Sequence, residues 1–436
     1  MIGVDEARAR IATRNGELNA VLRVLDEPDL DLEAQGTAGK GGGPLAGMPY
    51  VLKDTWDTKG IVTTGGSWRH RERVPRESAH AHEALRAAGA VLLGKSNLCD
   101  LAFSSESDNH LLGPVKNPHD LARTAGGSTG GGAAAVADGM AAFDWGTDFG
   151  GSIRGPAAFC GTVGLRLSAE AWPVKHHHFP RIAPFFWDFC GMGPLTQDVA
   201  TARRVVNAVR GALRDPNVTT PAVDPKRVVL WAPDRAHEAE WPSFLEDAKR
   251  ILDRAGVTYD VTHDLPTPTQ VNAIYTEYLA SHFAEFIATE ELPLRHGVPA
   301  VLLSLVSRGR LDKRVHPNTA ILLAGCVALG FRHRDKARTA NALRDLRAAM
   351  KRIWDDGTLV ITPTVTERPP RHGRAAFAYR LMSFCKLGNL TDATGLAIPT
   401  APFPGTTLPR SFQVLGPPGS EDAVLDLGER LERAHS

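Results

Sequence analysis

Residues 125–164 read AGGSTGGGAAAVADGMAAFDWGTDFGGSIRGPAAFCGTVG, and this stretch decides how the fold is interpreted. Two serines within it, Ser128 and Ser152, each follow a pair of glycines. Glycine runs leave backbone N–H groups uncovered and let the chain approach a ligand closely. The residues between the serines predict a helix over 133–138 and a strand over 141–145. One helix and one strand would carry the chain away and back, so we expect both serines at one site.

Lys53 is the candidate base for such a serine, since a serine hydroxyl needs a neighbouring base to become a nucleophile. It ends a short predicted strand, 49–52, in the segment GMPYVLKD, and neither glycine run contains a histidine. A lysine can act as a base only when it is neutral, and burial would lower its pKa from the usual value of about 10.4. The interpretation therefore requires Lys53 to be buried.

The backbone from Phe149 through Gly150 and Gly151 to Ser152 can direct successive N–H groups at one oxygen, because the glycines carry no side chain to cover them. An oxyanion hole, which stabilises the tetrahedral intermediate of acyl transfer, requires this geometry. Losing one donor from such a hole costs about 3 kcal/mol. Tight turns between packed elements could also explain one glycine cluster, but they explain less well two clusters that each present a serine.

Outside this stretch, strands and helices alternate, which favours an α/β architecture with a largely internal sheet. Ser243 and Glu246 have the spacing of a capping box at the start of a helix that ends near Arg254. Further helices are predicted over 4–25, 80–88, 341–354 and 420–433, and further strands over 90–93, 257–259 and 359–361. No internal repeat or low-complexity linker divides the chain, so we expect a single domain.

The composition is that of a soluble globular protein. The chain has 436 residues, of which 43% are hydrophobic and 23% charged, and its formal net charge of +1 gives no reason to expect nucleic acid as a partner. Five cysteines without a C-x-x-C pair favour reduced thiols over a zinc site or a disulfide framework. The N-terminus has no apolar core, and the longest apolar run, 320–330, is about half of a membrane span. We expect a cytoplasmic protein without a membrane span.

Two motifs match patterns of other enzyme classes. Residues 89–96, GAVLLGKS, have the letters of a P-loop, but AVLL is apolar where a phosphate loop needs flexible backbone. We therefore predict a helix-to-strand turn at Gly89 and a strand that ends at Gly94. Residues 126–130, GGSTG, match the nucleophile elbow of Ser-His-Asp hydrolases, but 121–125 predict only a poor strand before the serine.

Other chemistry-bearing residues have more ordinary interpretations. His176, His177 and His178 (176–178) could bind a metal or transfer protons, but no carboxylate or cysteine lies close in sequence, and an exposed loop near a pocket rim is favoured. Cys160 could be a nucleophile, although a small buried hydrophobe is its more common role. Trp56, Phe179 and the aromatic residues of the stretch PFFW at 184–187 could line a pocket, although such residues belong more often to the core.

The stretch from about Gly47 to Ala200 resembles the amidase signature family of serine amidases. GGSTGGGAAAVADGM followed by GTDFGGSIRGPAAFCGTVGL is similar to the family's serine- and glycine-rich signature, and GMPYVLKD is similar to its lysine segment. GKSNLCDLAFSSESDNHLLGPVKNPHD and DFCGMGPLTQDVATA match the segments before and after the signature. A weaker likeness continues in LVITPT and NLTDATGLAIPTAPFPG.

The resemblance implies a single α/β amidase domain over residues 1–436, with a mixed central β-sheet flanked by helices on both faces. Its implied parts are an N-terminal helical segment (1–36), a signature and catalytic core (47–200), a variable substrate-shaping region (201–380) and a C-terminal return to the core (381–436). The implied partner is a small-molecule amide, no metal or cofactor is expected, and a homodimer is possible.

The resemblance also implies roles for site residues. Ser152 falls at the family's nucleophile, Ser128 at the bridging serine that follows a cis peptide bond, and Lys53 at the base. The N–H groups from Phe149 through Gly150 and Gly151 to Ser152 fall at the oxyanion hole. The implied reaction is hydrolysis of a carboxamide or related C–N bond through an acyl-enzyme. The residues expected beside the substrate are Ala102, Ser104 and Thr129.

The chain departs from the family pattern at several positions. Gly132 stands where a third serine is usual, and Asp144 lies in a strand that is normally apolar. Phe149 replaces a smaller residue, and Arg166-Leu167 replace the usual Lys-Pro. Two alternatives stay open: the glutamine-amidase subunit of a tRNA-dependent amidotransferase, and a catalytically silent family member that serves as a binding or assembly protein.

Overall fold

The computed structural model describes most of the chain. The described residues are 2–29, 43–174, 187, 189–224, 227–231, 241–263, 265–282, 294–311, 313–332, 336–375 and 380–435. For 27–29, 241–243, 294–300 and 326–332 it describes the backbone only. These residues form an α/β fold built on one large mixed sheet, as the sequence predicts.

The strands of the described residues are numbered in chain order. They are β1 (Val21–Asp29), β2 (Pro49–Lys53), β3 (Val91–Ser96), β4 (Lys116–Asn117), β5 (Asp120–Thr124), β6 (Phe143–Asp148), β7 (Val163–Arg166), β8 (Gly191–Thr196), β9 (Arg227–Trp231), β10 (Thr258–Thr262), β11 (Leu359–Pro363), β12 (Thr394–Thr400) and β13 (Arg410–Gly416). Eleven of them form the central sheet in the spatial order β1-β3-β2-β6-β8-β7-β12-β13-β11-β9-β10. The other two, β4 and β5, form a separate antiparallel pair.

The α-helices of the described residues are numbered in the same way. They are α1 (Val4–Leu18), α2 (His80–Ala87), α3 (Gly130–Ala137), α4 (Arg154–Cys160), α5 (Val199–Leu213), α6 (Trp241–Arg254), α7 (Pro268–Ser281), α8 (Leu294–Ser307), α9 (Pro317–Arg332), α10 (Lys336–Asp355), α11 (Ser383–Leu390) and α12 (Glu421–His435).

Helices cover both faces of the sheet. Successive side chains of β2 pack against helices on opposite faces. Tyr50 and Leu52 belong to a core cluster that also contains buried residues of α2, α5 and α12. Val51, between them, points to the opposite face and packs with residues of α1, α3 and α4. Because successive strand residues face opposite sides, Lys53 lies on the same side as Val51, toward α3 and α4.

The helix predicted over 4–25 is wrong in its C-terminal part, because α1 ends at Leu18 and β1 begins at Val21. Asn19 ends the helix in the left-handed conformation, with φ 55°. The Asn15 side chain accepts a hydrogen bond from the Val21 N–H at 2.7 Å and donates one to the Val21 carbonyl at 2.9 Å. The segment predicted to be helical over 1–36 therefore contains an edge strand as well as a helix.

One further local prediction is wrong, and one weak prediction is confirmed. The helix α6 begins at Trp241, so Ser243 lies inside it and cannot cap it. A capping box occurs instead at α7, where Thr267 Oγ1 accepts from the Gln270 N–H at 3.3 Å and Gln270 Oε1 accepts from the Thr267 N–H at 2.8 Å. The weak strand predicted near 121–125 is β5, which pairs with β4 outside the central sheet.

The P-loop interpretation is excluded by the structure. Gly89 has φ +91° and forms the turn between α2 and β3. The strand continues past Gly94 to Ser96, so the predicted strand end is two residues early. Lys95 lies within the strand and is fully buried, where it cannot reach a phosphate in solvent.

Candidate active site

The candidate residues come together where β2 and β6 end and two helices begin. These strands are parallel neighbours, so their carboxyl ends lie at the same edge of the sheet. Lys53 is the last residue of β2, Ser128 lies just before α3, and Ser152 lies between β6 and α4. The helix and strand between the two serines return the chain to one site, as the sequence predicts.

Lys53 is fully buried and its ammonium group is bound on three sides. In the protonated state Nζ donates to Ser128 Oγ at 2.7 Å, to Thr147 Oγ1 at 3.0 Å and to the Thr147 carbonyl at 3.2 Å. Burial lowers the pKa of Lys53 to about 8, against the opposing charge of neighbours that include Asp144 and Asp148. A measurable fraction of the amine is therefore neutral near pH 7.

Ser128 follows a cis peptide bond with Gly127, as the resemblance implies. A side chain at Gly127 would lie 2.5 Å from the Ser104 carbonyl oxygen and 2.7 Å from the Glu106 nitrogen, so only glycine fits there. The Ser128 carbonyl accepts from Ser107 Oγ at 3.2 Å, and Ser107 Oγ accepts from the Gly130 N–H at 3.0 Å. The bonding partner of Ser128 Oγ is the Lys53 amine, which separates this site from a Ser-His-Asp elbow.

The loop that carries Ser152 is held by Asp148, which is fully buried. Its carboxylate accepts from the N–H groups of Gly151 at 2.8 Å and Ile153 at 3.1 Å. It also accepts from Arg154 Nε and Nη2, both at 3.0 Å. Burial alone would raise the pKa of Asp148, but the Arg154 guanidinium outweighs it and holds the pKa well below its usual range.

This arrangement changes one part of the predicted oxyanion hole. The Gly151 N–H donates to Asp148 Oδ1, so in this structure it is not directed at a substrate carbonyl. The predicted donors that remain are the N–H groups of Phe149, Gly150 and Ser152. Asp148 and Arg154 flank the loop in GTDFGGSIR, and this pair of opposite charges was the signal for its anchor that the sequence offered.

A cavity of about 560 Å³ opens at Ser152. Ala102 and Ser104, predicted to lie beside the substrate, are on its wall together with Phe149 and Gly150. Its other walls come from α7, α9 and the start of α11, including Asn272, Ala273, Tyr275, Thr276, Glu277, Leu279, Ile321, Leu322, Arg380, Met382 and Lys386. These residues lie far from the signature in sequence, and no local pattern predicted them.

Tyr275 is an aromatic residue of the cavity wall that contacts the loop 149–152, called the oxyanion loop below. Its hydroxyl lies 3.5 Å from the Phe149 carbonyl oxygen, and a side chain added at Gly150 would come within 2.5 Å of it. Lys386 lies 5.0 Å from the centroid of the Tyr275 ring and hydrogen-bonds to Asn272. Lys386 and Asn272 thus form a polar region on a cavity wall that is otherwise mainly apolar.

The prediction that Thr129 contacts substrate is not supported by its position. Thr129 is fully buried, its Oγ1 donates to the Thr147 carbonyl at 3.4 Å, and it packs against Gly146. Its N–H donates to the Ser152 carbonyl at 3.1 Å, which ties the two serine loops together. We therefore assign it to the support of the site and not to the cavity wall.

The remaining candidates have structural positions or lie outside the described residues. Cys160 is fully buried, and burial raises the pKa of its thiol far above the ordinary value, so it is a core residue. Trp56 is also core, with 1% of its surface exposed. The three histidines at 176–178 lie outside the described residues, and so do Phe179, Phe185 and Phe186.

The described residues offer neither a metal centre nor a membrane-spanning helix. No group of three or more His, Cys, Asp or Glu side chains among them could hold a metal ion. In the same part of the chain, no helix has both the length and the apolar character needed to cross a bilayer.

The chain is similar to known proteins over nearly its whole length. The amidase family model matches residues 4–425. The chain is 30% identical over 468 residues to a glutamyl-tRNA(Gln) amidotransferase subunit from Carboxydothermus hydrogenoformans, covering 99% of this chain and 93% of that protein. It is 31% identical over 464 residues to the corresponding subunit from Anaeromyxobacter sp. (strain K), covering 99% and 92%.

Among solved structures, 6-aminohexanoate cyclic dimer hydrolase complexed with substrate has the same fold. The TM-score is 0.77 at 23% identity, covering 99% of this chain and 93% of that one. At this identity the likeness shows the fold alone. The family model and the curated relatives span nearly the whole chain, and the protein therefore belongs to the amidase signature family.

Proposed function

We propose that the protein is an amidase that hydrolyses a carboxamide or related C–N bond through an acyl-enzyme on Ser152. The observation that carries the proposal is the 2.7 Å hydrogen bond between the buried Lys53 amine and Ser128 Oγ, beside a cavity that opens at Ser152. A base, a bridging hydroxyl and an accessible second hydroxyl are the groups that a serine nucleophile requires.

In the first step, neutral Lys53 accepts the Ser128 proton while Ser128 accepts the proton of Ser152. The Ser152 oxygen then forms a bond to the amide carbon, and the carbonyl π electrons move to the oxygen. The proton remains on Lys53 Nζ as an ammonium, so charge is conserved across the site. The pKa of about 8 caused by burial keeps part of the amine available for this step near neutral pH.

The negative oxygen of the tetrahedral intermediate would be stabilised by the N–H groups of Phe149, Gly150 and Ser152. Such donors act without reorganisation when the loop that bears them is already fixed. The Asp148 carboxylate fixes this loop through its hydrogen bonds to the Gly151 and Ile153 N–H groups. The ammonium proton then returns through Ser128 to the leaving amine, and the C–N bond breaks.

Water completes the cycle by the same proton path. Lys53 and Ser128 remove a proton from the water as it attacks the acyl carbon, and the relay returns that proton to Ser152 as the ester bond breaks. The products are a carboxylic acid and an amine. The cavity of about 560 Å³ has the size of a small-molecule site, which supports a small amide as the substrate.

A second candidate function is the glutamine-amidase subunit of a tRNA-dependent amidotransferase. The observation that favours it is the identity of 30% and 31% to two proteins named as a glutamyl-tRNA(Gln) amidotransferase subunit, over 99% of this chain. A protein with this function needs partner proteins for its full reaction. Release of ammonia from glutamine that depends on co-purifying subunits would favour this function, whereas turnover of simple amides by the isolated chain would favour an independent amidase.

A catalytically silent member is a third possibility that the geometry disfavours, because the Lys53–Ser128 hydrogen bond and the cavity at Ser152 are both formed. A fluorophosphonate probe tests the chemistry directly by phosphonylating an activated serine. We expect labelling of the wild type, none of Ser152→Ala, and slow labelling of Ser128→Ala. Equal labelling of the wild type and Ser152→Ala would remove the nucleophile assignment, and an unlabelled, folded wild type would favour the silent alternative.

A further inference from the structure

Asp144 is a fully buried carboxyl group in the middle of the sheet, at the second position of β6. It lies opposite Val51 of β2 and Leu195 of β8 in the strand register. An unpaired carboxylate in such a place is costly, so its contacts need an explanation. Its Oδ1 accepts a hydrogen bond from Ser96 Oγ at 2.6 Å, and its Oδ2 is buried without a hydrogen-bond partner among the described residues.

The position of Asp144 is coupled to the glycine at 132, where the family usually has a serine. A side chain added at Gly132 would overlap the Asp144 carboxyl group and would lie 2.7 Å from its Cβ. Gly132 is in the first turn of α3, immediately after the Ser128 loop. The two departures from the family pattern are therefore one change: the missing side chain on α3 makes room for a carboxyl group on β6.

This carboxyl group lies on the same face of the sheet as the candidate base, because Asp144 pairs with Val51 in the strand register and Val51 and Lys53 point to the same side of β2. The cations that act on Asp144 are Lys53 on β2 and Lys95 on β3. The other elements in contact with β6, α3 and β8, carry no titratable residue. Burial raises the pKa of Asp144 to about 7, although the Ser96 hydrogen bond and both lysines lower it. Its titration therefore falls close to that of Lys53.

Four groups act electrostatically on Lys53 in return. Cys99 and Cys190 are fully buried thiols whose pKa burial raises to about 12, so they are neutral at working pH. Asp148 is neutralised by its ion pair with Arg154, at 3.0 Å. Asp144 has no cation in direct contact among the described residues. Of these four groups, it is therefore the one whose negative charge is left to stabilise a positive charge on Lys53.

We propose that Asp144, seated in the space left by Gly132 and held by Ser96, is a positioning residue that stabilises the protonated form of Lys53 during acyl transfer. The inference rests on the proposed function, because it concerns the ammonium that forms when Lys53 takes the Ser128 proton. No proton is transferred to Asp144 in this step, and the ammonium and the carboxylate coexist until the leaving amine is protonated. The chain thus places a carboxyl group in the space that a side chain at position 132 would fill.

The test is the pH dependence of fluorophosphonate labelling in Asp144→Asn, which keeps the shape of the side chain and removes its charge. Without the carboxylate the pKa of Lys53 falls, so the midpoint of the acid limb should move to lower pH by about one unit. The rate on the alkaline plateau should fall roughly tenfold, since one pKa unit of ammonium stabilisation is lost. A residue with only a packing role would lower the rate without moving the midpoint.

The matched control is Asp54→Asn. Asp54 is also buried, but its Oδ1 faces Lys95 at 3.7 Å, so the control should leave the labelling midpoint unchanged. A second variant, Gly132→Ser combined with Asp144→Ala, refills the space with a hydroxyl group and should shift the midpoint in the same direction as Asp144→Asn. It also serves as the test if Asp144→Asn does not fold.

An unchanged midpoint in folded Asp144→Asn, or in the double variant, would overturn the inference and leave the proposed function intact. A shift in Asp54→Asn equal to that in Asp144→Asn would also overturn it, because the effect would then not be specific to the charge near Lys53. Failure of the proposed function gives a different result: the wild type would not be labelled at all, or Ser152→Ala would be labelled equally.

Discussion

Two lysines on neighbouring strands of the sheet differ only in what their amines touch. Lys53 on β2 and Lys95 on β3 are both fully buried, and burial lowers the pKa of each to about 8. The Lys53 amine contacts Ser128 Oγ at 2.7 Å, at the edge of a cavity. The Lys95 amine contacts the Trp56 carbonyl, Thr58 Oγ1 at 3.0 Å and Thr63 Oγ1 at 3.2 Å.

A low lysine pKa is therefore not by itself a sign of catalysis in this protein. Lys95 holds the loop after β2 against the sheet, with the carboxylate of Asp54 nearby, and none of its contacts leads to the cavity. Lys53 contacts Ser128 Oγ, and the Ser128 loop is tied to Ser152 on the cavity wall by the hydrogen bond from the Thr129 N–H to the Ser152 carbonyl. Both lysines are equally buried, so burial does not separate them. What separates the candidate base from the structural lysine is that Lys53 contacts Ser128, whereas Lys95 contacts Thr58 and Thr63.

The largest expected effect comes from removing each lysine in turn. Lys53→Met should lower kcat/KM by about 10⁴-fold or more, because the serine relay loses its base. Lys95→Met should lower kcat/KM far less but should lower the melting temperature, since it frees the loop that Lys95 holds. Steady-state kinetics and thermal unfolding of both variants measure these effects. Equal losses of activity at equal stability would contradict the distinction between Lys53 as the base and Lys95 as a structural residue.

The carboxylates beside the two lysines should differ in their effect on stability. Asp148→Asn should lower the free energy of unfolding by about 3–5 kcal/mol, because it leaves the fully buried Arg154 without its partner. Asp54→Asn should cost less, since Lys95 keeps three other acceptors. Denaturant unfolding at pH 7 gives both values. A larger loss of stability in Asp54→Asn would show that the loop after β2 depends on its carboxylate more than the Ser152 loop depends on Asp148.

The pH dependence of activity should report the protonation of Lys53 and not that of Lys95. The pKa of about 8 predicts that kcat/KM rises about tenfold per pH unit below 8 and levels off above it, because only the neutral amine is a base. The same midpoint in Lys95→Met would support the assignment. A midpoint near 6.5 in the wild type would indicate a histidine base instead.

The pH dependence of stability should report both lysines equally. Each has a folded pKa near 8 and an unfolded pKa near 10.5, so between these values the unfolded state binds more protons and the free energy of unfolding rises with pH. Each lysine contributes up to about 1.4 kcal/mol per pH unit to this slope. Lys53→Met and Lys95→Met should each reduce it by the same amount in denaturant unfolding from pH 8 to 10.5.

The smallest expected effect concerns the cavity that opens at Ser152. Tyr275→Ala should raise the kcat/KM ratio of bulky to small amides by about tenfold, because the wall beside Phe149 is opened. Tyr278→Ala is the matched control on the same helix, since Tyr278 packs against Phe189 with ring centroids 4.8 Å apart. An equal change of ratio in both variants would mean that the helix as a whole, and not Tyr275, shapes the substrate site.

Local patterns predicted the alternation of strands and helices and placed Ser128 and Ser152 at one site, whereas the mixed sheet and the place of Lys53 beside them were implied by the family resemblance. The glycine runs and the helix and strand between them suffice for this, because they constrain the backbone without long-range information. The end of α1 was missed since the Val21 and Leu25 positions fit a helix as well as a strand, and a single Asn15 side chain decides between them. Thr129 was predicted to lie beside the substrate because it follows Ser128 in sequence. Adjacency in sequence does not determine the direction of a side chain, and that of Thr129 is buried.

The rest of the site depends on contacts between distant segments. The cavity wall on α7 and α11 is built by residues more than a hundred positions from Ser152, and periodicity alone does not locate them. The link between Gly132 and Asp144 was visible only as two separate departures from the family pattern. Their shared volume became apparent when the helix α3 was placed against β6.

The anchor of the oxyanion loop has a consequence for the protein's synthesis. Asn389 Nδ2 donates to the Asp148 carbonyl at 2.9 Å, and Arg154 Nη2 donates to Asn389 Oδ1 at 2.8 Å, so the last part of the chain holds a loop near its first third. Gln413 also accepts from Arg154 Nη1, at 2.9 Å. A chain still emerging from the ribosome carries Lys53, Ser128 and Ser152 long before these anchors exist. We therefore expect the loop that carries Ser152 to reach its anchored geometry only after Asn389 and Gln413 have been synthesised.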